Sequence, residues 1–208
     1  MDIIRTYSTI IDADRQLVGG KGWAVAKLSQ INIPAAKGFC ITNNLVKVIL
    51  NSDEKFEKEY STYLDIVDNT GIPDQHLSDN IKNNIDRLLF PPSVISELSS
   101  ALQKCIPTNS NKIIVRSSAS VEDSTKASFA GQFSSNVADS NIDAFIGAIR
   151  KCWQAIASPS LAAYASTMKI SLCGISFAFL VQEFLNFDYS GVLFTRNPIN
   201  KTEGDYLV

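Results

Sequence analysis

The fold is decided around the stretch Ile113-Ile114-Val115-Arg116-Ser117-Ser118, which turns from apolar to polar within one predicted strand. A short run of β-branched apolar residues is typical of a buried strand. Such a strand delivers a fork-shaped cation and two hydroxyls to one sheet edge, where they suit an oxyanion. Glu122 and Asp123 then follow, to anchor the loop, pair with Arg116 or help hold a metal. The alternative is a serine-rich turn with Arg116 in a surface ion pair.

A glycine-rich segment, Gly19-Gly20-Lys21-Gly22, leads into a helical pattern in which Val25, Leu28 and Ile31 share one face. Glycines let the backbone turn tightly and approach a ligand. A lysine at a helix N-terminus is unfavourable unless an anion lies there, and a phosphate would satisfy both the lysine and the amide groups. No Walker A pattern occurs in the chain. The alternative is a glycine turn with a solvated lysine.

Two further segments combine apolar residues with small or polar ones. In Ser128–Ser135, small residues alternate with aromatic ones, so Gly131 leaves room on one face of an extended segment; the alternative is a sheet edge with a bulge at the glycine. In Phe179–Leu185 an apolar strand ends in polar residues, and its backbone groups suit a planar base. An ordinary strand end is the alternative there.

The rest of the chain mixes helical and extended patterns without strict βαβ alternation, which predicts the α+β class. The expected strands are a short one within 2–10, then 38–42, 175–182 and 190–195, with an extended segment over 129–137. The expected helices cover 43–66, a segment from Ser78 or Asp79 to Leu89, a segment from Ser93 to Cys105, 142–156 and 159–169, and a loop is expected over 69–78.

Composition excludes several classes of protein. The chain has 208 residues, 45% of them hydrophobic and 19% charged, with a formal net charge of -2, which indicates a globular protein rather than a disordered one or a nucleic-acid binder acting through bulk charge. No apolar run reaches the roughly 18–20 residues that a membrane span needs, and the first residues do not resemble a signal peptide. We therefore expect a cytoplasmic protein with no nucleic-acid or membrane partner.

Cysteine and histidine usage points to no catalytic centre of a familiar type. Cys40, Cys105, Cys152 and Cys173 are far apart, so buried thiols are expected rather than disulfides or a zinc site. The one histidine, His76, lies in a polar segment and is expected at the surface rather than in catalysis.

Taken together and in order, these segments resemble the N-terminal nucleotide-binding region of the phosphoenolpyruvate synthase and pyruvate phosphate dikinase family, which includes rifampicin phosphotransferase. The matching stretches are 17–28, 38–42, 114–123 with 127–132, 149–153, and 181–182 with 190–198. The resemblance implies an ATP-grasp fold, of which this chain is the N-terminal part. Residues 1–185 would belong to the first portion and 186–208 to the start of the second subdomain. Trp23-Ala24-Val25, Ala36-Lys37 and Arg196-Asn197 depart from the residues that relatives usually have.

The resemblance also implies roles for individual residues. The implied ATP-binding residues are Lys21, Arg116, Gly131, Ser135, Gln182, Glu183 and Leu185, and the implied supports of the phosphate loop are Gly19, Gly20, Gly22, Ser117 and Ser118. Lys21 and Arg116 would contact phosphates, and the Gln182–Leu185 segment would hold adenine through its backbone.

In the complete enzyme, ATP with Mg²⁺ would supply its β-phosphoryl group to a carrier histidine, and then to pyruvate or another small acceptor. The resemblance puts that histidine, the magnesium ligands and the acceptor site outside this chain, so the chain alone is expected to be inactive. The alternative is a stand-alone inactive nucleotide-binding or partner module that completes a split enzyme.

Overall fold

The computed structural model describes residues 2–119, 123–124, 127–128 and 134–191. Its strands are β1 (Ile4–Thr6), β2 (Gly38–Ile41), β3 (Lys112–Ala119), β4 (Asp123–Ser124), β5 (Ala127–Ser128), β6 (Ser135–Asp139) and β7 (Phe177–Glu183). Its helices are α1 (Arg15–Gln30), α2 (Asn44–Ser52), α3 (Glu54–Thr70), α4 (Gln75–Arg87), α5 (Pro92–Cys105), α6 (Ile142–Trp153) and α7 (Pro159–Met168). This mixture of helices and strands confirms the predicted α+β class.

Five of the strands form one antiparallel sheet in the order β1-β2-β7-β3-β6. β7 is central, and its residues from Phe177 to Gln182 are all buried because helices cover both of its faces. A strand covered on both sides is expected to be a continuous apolar run rather than an alternating one. β4 and β5 form a separate two-stranded ladder.

Helices α2 to α7 cover one face of the sheet and form the main hydrophobic core with it. Ile113 and Val115 of β3 and Phe179 of β7 face this side. Trp153 is fully buried in the helical layer, and its indole N–H donates to the Tyr60 hydroxyl at 3.2 Å. The indole N–H, the one polar atom of this large side chain, therefore has a partner inside the core.

Helix α1 lies on the opposite face and forms a smaller core. Its Val18 and Ala26 pack with Cys40 of β2 and Leu180 of β7. Leu28 and Ile31, which the sequence pattern placed on a shared face, lie on the exposed side of the helix, with 42% and 67% of their surfaces accessible. Small side chains form the buried face instead because they let the helix approach the sheet closely.

The segment between β2 and β3 divides differently from the expectation. The residues predicted to be helical over 43–66 form two helices, because the chain breaks at Asp53, whose carboxylate accepts a hydrogen bond from the Phe56 N–H and caps α3. The predicted loop over 69–78 is too long, because α4 already begins at Gln75. The Asp74 carboxylate caps this helix by accepting a hydrogen bond from the His76 N–H. His76 is exposed in the first turn of α4, and its predicted surface position is confirmed.

The helix predicted to extend to Leu89 ends at Arg87, and Leu89 is 86% exposed. All four cysteines are free. The prediction of buried thiols is confirmed for Cys40 and Cys152 and is wrong for Cys173, which is exposed. Among the helices in the described ranges, none is long and apolar enough to span a bilayer.

Candidate functional site

Arg116 lies near the end of β3, on the sheet face that α1 partly covers. This orientation follows from the register, because Arg116 pairs with Leu180, which packs against α1, while Val115 faces the main core. Its side chain is half-buried, and its buried Nε atom has no hydrogen-bond partner within the part of the chain that the structure describes. A desolvated guanidinium nitrogen without a partner favours an anionic ligand.

Lys21 reaches the same end of β3 from helix α1. Its Nζ atom lies 3.3 Å from the backbone oxygen of Ser117, the residue after Arg116. The two cations predicted to contact phosphates are 95 positions apart in the sequence, and the structure brings both to one end of one strand. Positive charge at one strand end favours an anion there.

The glycine segment is part of helix α1 rather than a loop before it. The helix begins at Arg15, and only Gly19 departs from helical geometry, with φ 75° and ψ 171°. A Cβ atom at Gly19 would overlap the carbonyl oxygen of Ser118, and one at Gly22 would lie 2.8 Å from the Cys40 Sγ atom. These two glycines are required by close approach of α1 to β3 and β2, together with the positive φ at Gly19.

The two predicted supporting serines lie on opposite faces of β3. Ser118 points toward α1, where its hydroxyl accepts from the Gly22 N–H at 3.0 Å and donates to the Val18 carbonyl at 2.7 Å. Ser117 points toward the helical layer, and its hydroxyl donates to the Ser134 carbonyl at 3.3 Å. Only the backbone carbonyl of Ser117 meets Lys21, so the structure brings Ser118 but not the Ser117 hydroxyl to the glycine segment.

Next to Arg116, the sheet presents a shallow wall in which Ser135 was predicted from the sequence, whereas Ile114 and Val137 were not. Ser135 of β6 pairs directly with Arg116, and Val137 pairs with Ile114, so these four side chains share the face that carries α1. Val137 keeps 48% of its surface exposed and Ile114 is half-buried. The exposed Val137 therefore lies on the same face as the polar pair of Arg116 and Ser135. Only the pairing of β3 with β6 reveals this arrangement.

The end of β7 borders this wall. Gln182 pairs with Ile114 and therefore lies on the same face, with only 8% of its surface exposed. Glu183 points to the opposite face, where its carboxylate accepts from the Lys37 N–H at 2.8 Å. Leu185 lies beyond the strand and is 42% exposed. The structure thus brings Gln182 to the wall directly and ties the Glu183 side chain to β2.

Two weakly acidic groups near the wall stay neutral at physiological pH. Burial raises the pKa of the Cys40 thiol, which lies beneath Gly22, to about 12. Burial likewise raises the pKa of the Tyr7 hydroxyl above its usual value. Neither group adds negative charge near Lys21. Gly20 is buried within α1, and Gly131 lies outside the described residues.

The sequence of this chain is similar to those of several known proteins. The phosphoenolpyruvate synthase of Pyrococcus furiosus is 23% identical over 240 residues, which cover 99% of this chain and 29% of that protein. The probable phosphoenolpyruvate synthase of Archaeoglobus fulgidus is 29% identical over 191 residues, covering 90% of this chain and 25% of that protein. The rifampicin phosphotransferase of Bacillus subtilis is 28% identical over 186 residues, covering 88% of this chain and 21% of that protein.

The chain spans less than a third of the length of the curated relatives it matches. The family model described as the pyruvate phosphate dikinase AMP/ATP-binding domain matches residues 15–208. That match contains both cations, the glycine segment and the polar ends of β3 and β7. The chain therefore belongs to the family of the pyruvate phosphate dikinase AMP/ATP-binding domain.

Proposed function

We propose that the open part of the α1-bearing sheet face binds ATP and that the chain is the ATP-binding part of a dikinase-type phosphotransferase with an ATP-grasp fold. The observation that carries the proposal is the convergence of Lys21 and Arg116 on one end of β3. Phosphoryl transfer depends on positioning and charge neutralisation, and these are the tasks that two converging cations perform.

In this proposal the phosphates lie at the Lys21 and Arg116 end, with Ser135 and Gly131 lining the nucleotide. Adenine lies toward the exit of β7, over the apolar surface of Ile114 and Val137. The backbone N–H groups of Glu183 and Phe184 already donate to the Lys37 and Lys112 carbonyls. These bonds fix the strand end, and the Glu183 carbonyl and the Leu185 N–H are the backbone groups assigned to the base.

The whole protein would move the β-phosphoryl group of ATP to a carrier histidine, with AMP leaving and the γ-phosphoryl group passing to water or phosphate, and then to pyruvate or another small acceptor. Relatives named phosphoenolpyruvate synthase and rifampicin phosphotransferase support a small-molecule acceptor. His76 is exposed on α4, in the helical layer on the far side of the sheet from the proposed phosphate site, and has no part in the transfer.

Mg²⁺ is the implied metal. Among the described residues no group of three or more His, Cys, Asp or Glu side chains is placed to hold a metal ion, and no step of the proposal is assigned to one.

Substituting Arg116→Ala tests the phosphate assignment. A hydrogen bond to a charged group contributes about 1.5–3 kcal/mol, so we expect the Kd for ATP to rise by roughly 10-fold to 150-fold. The Kd for adenosine, which has no phosphate, should stay within about twofold, since only the phosphate contact is removed. Both are measured by titration followed by NMR, which detects weak binding.

Arg87→Ala is the matched control, because Arg87 is an exposed arginine at the end of α4 in the helical layer. It should bind ATP as the unmodified protein does. Equal ATP affinity in Arg116→Ala and Arg87→Ala would show that phosphate does not bind at the end of β3.

A further inference from the structure

Helix α1 contains a hydroxyl inserted into its own hydrogen-bond ladder. In an uninterrupted α-helix the Gly22 N–H would donate to the Val18 carbonyl, four residues earlier. Here both groups bond to the Ser118 hydroxyl, which comes from β3, about 100 residues later in the chain. Insertion of a side chain into the ladder is a recognised cause of a sharp helix break. The break occurs at Gly19, between the two bridged residues.

Asn43, which follows β2, bonds the two preceding carbonyls of the same turn. Its backbone N–H donates to the Leu17 carbonyl at 2.9 Å, and its side-chain amide donates to the Gln16 carbonyl at 3.3 Å. In an uninterrupted helix these carbonyls would accept from Gly20 and Lys21. Three successive carbonyls of the first turn are therefore bonded by Ser118 of β3 and by Asn43, which lies between β2 and α2.

The bonding groups are themselves fixed in the sheet. Ser118 is fully buried and Asn43 is 6% exposed. Ser118 pairs with Ala178 of β7 in the middle of the sheet, which fixes the backbone that carries its hydroxyl. The gap between Gly19 and Ser118 has no room for even a methyl group. The break in α1 is thus built by the sheet rather than by the local sequence alone.

We propose that Ser118 and Asn43 are positioning residues for phosphate binding, an inference that rests on the proposed ATP site. By bonding the carbonyls of residues 16–18, they hold α1 open at Gly19, so that a second helical segment begins at Gly20. That segment carries Lys21 in its first turn and directs its side chain to the end of β3 beside Arg116. The positive end of this segment's dipole faces the same end of the strand.

The test compares ATP with adenosine in Ser118→Ala and Asn43→Ala variants of the protein, by titration followed by NMR. We expect the Kd for ATP to rise about tenfold in Ser118→Ala and less in Asn43→Ala, which keeps its backbone N–H. Adenosine binding should not change, because the exit of β7 is untouched. The Gly22 amide resonance should also shift in Ser118→Ala without ligand, since its acceptor is lost.

Ser78→Ala is the control for loss of a buried hydroxyl, because Ser78 is fully buried in α4 of the helical layer. It should leave both Kd values as they are. Ser118→Ala with unchanged ATP affinity, or with equal losses of ATP and adenosine affinity, would overturn the positioning role while leaving the ATP site standing. An unmodified protein that binds neither ligand would instead overturn the proposed function.

Discussion

The two faces of the sheet differ in how completely they are covered. The face toward α2–α7 carries a large continuous core in which Trp153, Tyr63 and Phe145 are fully buried. Of the described residues, six are buried in the small core on the α1 face, and beside it Val137 keeps 48% of its surface exposed. The face toward α2–α7 provides stability and holds the strands in place. The α1 face exposes the polar ends of the same strands.

This difference explains why the candidate site lies where it does. Ser117 and Ser118 are neighbours with equal burial, yet the strand alternation sends one hydroxyl into each face. Only the Ser118 hydroxyl meets α1. A change on the helical face should therefore affect unfolding, while a change on the α1 face should affect the nucleotide first.

The largest expected effect is on the helical face. Trp153→Ala removes a fully buried indole that contacts Phe56 and Tyr60, and we expect a loss of about 3–5 kcal/mol in the free energy of unfolding. Urea unfolding measures it. Tyr189→Ala is the control, because Tyr189 is 93% exposed and its loss should cost under about 0.5 kcal/mol. Similar losses in the two variants would contradict the assignment of the core to this face.

Two glycine substitutions should have effects of opposite sign. Gly19→Ala adds a methyl group against Ser118 at a residue whose φ is positive. We expect the free energy of unfolding to fall by roughly 1–3 kcal/mol or more from backbone strain alone. Gly147→Ala, on α6, places its methyl group in open space, and we expect a gain of about 0.5–1 kcal/mol because alanine favours a helix over glycine. Thermal unfolding of both variants decides the matter, and two changes of the same sign would sink the contrast.

The smallest expected effect depends on pH. Burial of the Asp68 carboxyl raises its pKa, but hydrogen bonds from the Ser171 hydroxyl and the Leu172 and Cys173 N–H groups outweigh burial and hold the pKa below its ordinary value of 3.8. The charged Asp68 carboxylate therefore stabilises the fold at pH values above its pKa in the unfolded chain. This stabilisation is lost as the pH falls through its lower pKa in the folded protein. Asp68→Asn should be less stable than the unmodified protein at pH 7, and the difference should shrink toward pH 3. A difference that does not vary with pH would mean that charge on Asp68 plays no part.

The apolar-to-polar run of β3 was predictable because a buried strand is a purely local pattern. The buried face of α1 was not, because periodicity favoured large residues such as Leu28 whereas close packing on the sheet selected Gly22 and Ala26. The break at Gly19 depends on a hydroxyl about 100 residues away, and no local pattern contains it.

The site divides in the same way. Lys21 and Arg116 were identified from residue type, together with the family resemblance. Ile114 and Val137 were missed because their shared face depends on the register between β3 and β6. Glu183 was expected to hold adenine through its backbone, and its side chain, which strand alternation turns to the other face, accepts from the Lys37 N–H.

The central position of β7 has a consequence for synthesis of the chain on the ribosome. Among the strands that the structure describes, β7 is the last of the sheet along the chain, yet it separates β2 from β3, so neither strand has its inner partner until residue 183 has been made. Until then two apolar strand edges await a partner, which makes a nascent chain prone to wrong pairing. The helices of residues 44–105 fold through contacts closer in sequence and can form earlier. The sheet that brings the two cations of the candidate site together therefore gains its central strand only after residue 183 has been made.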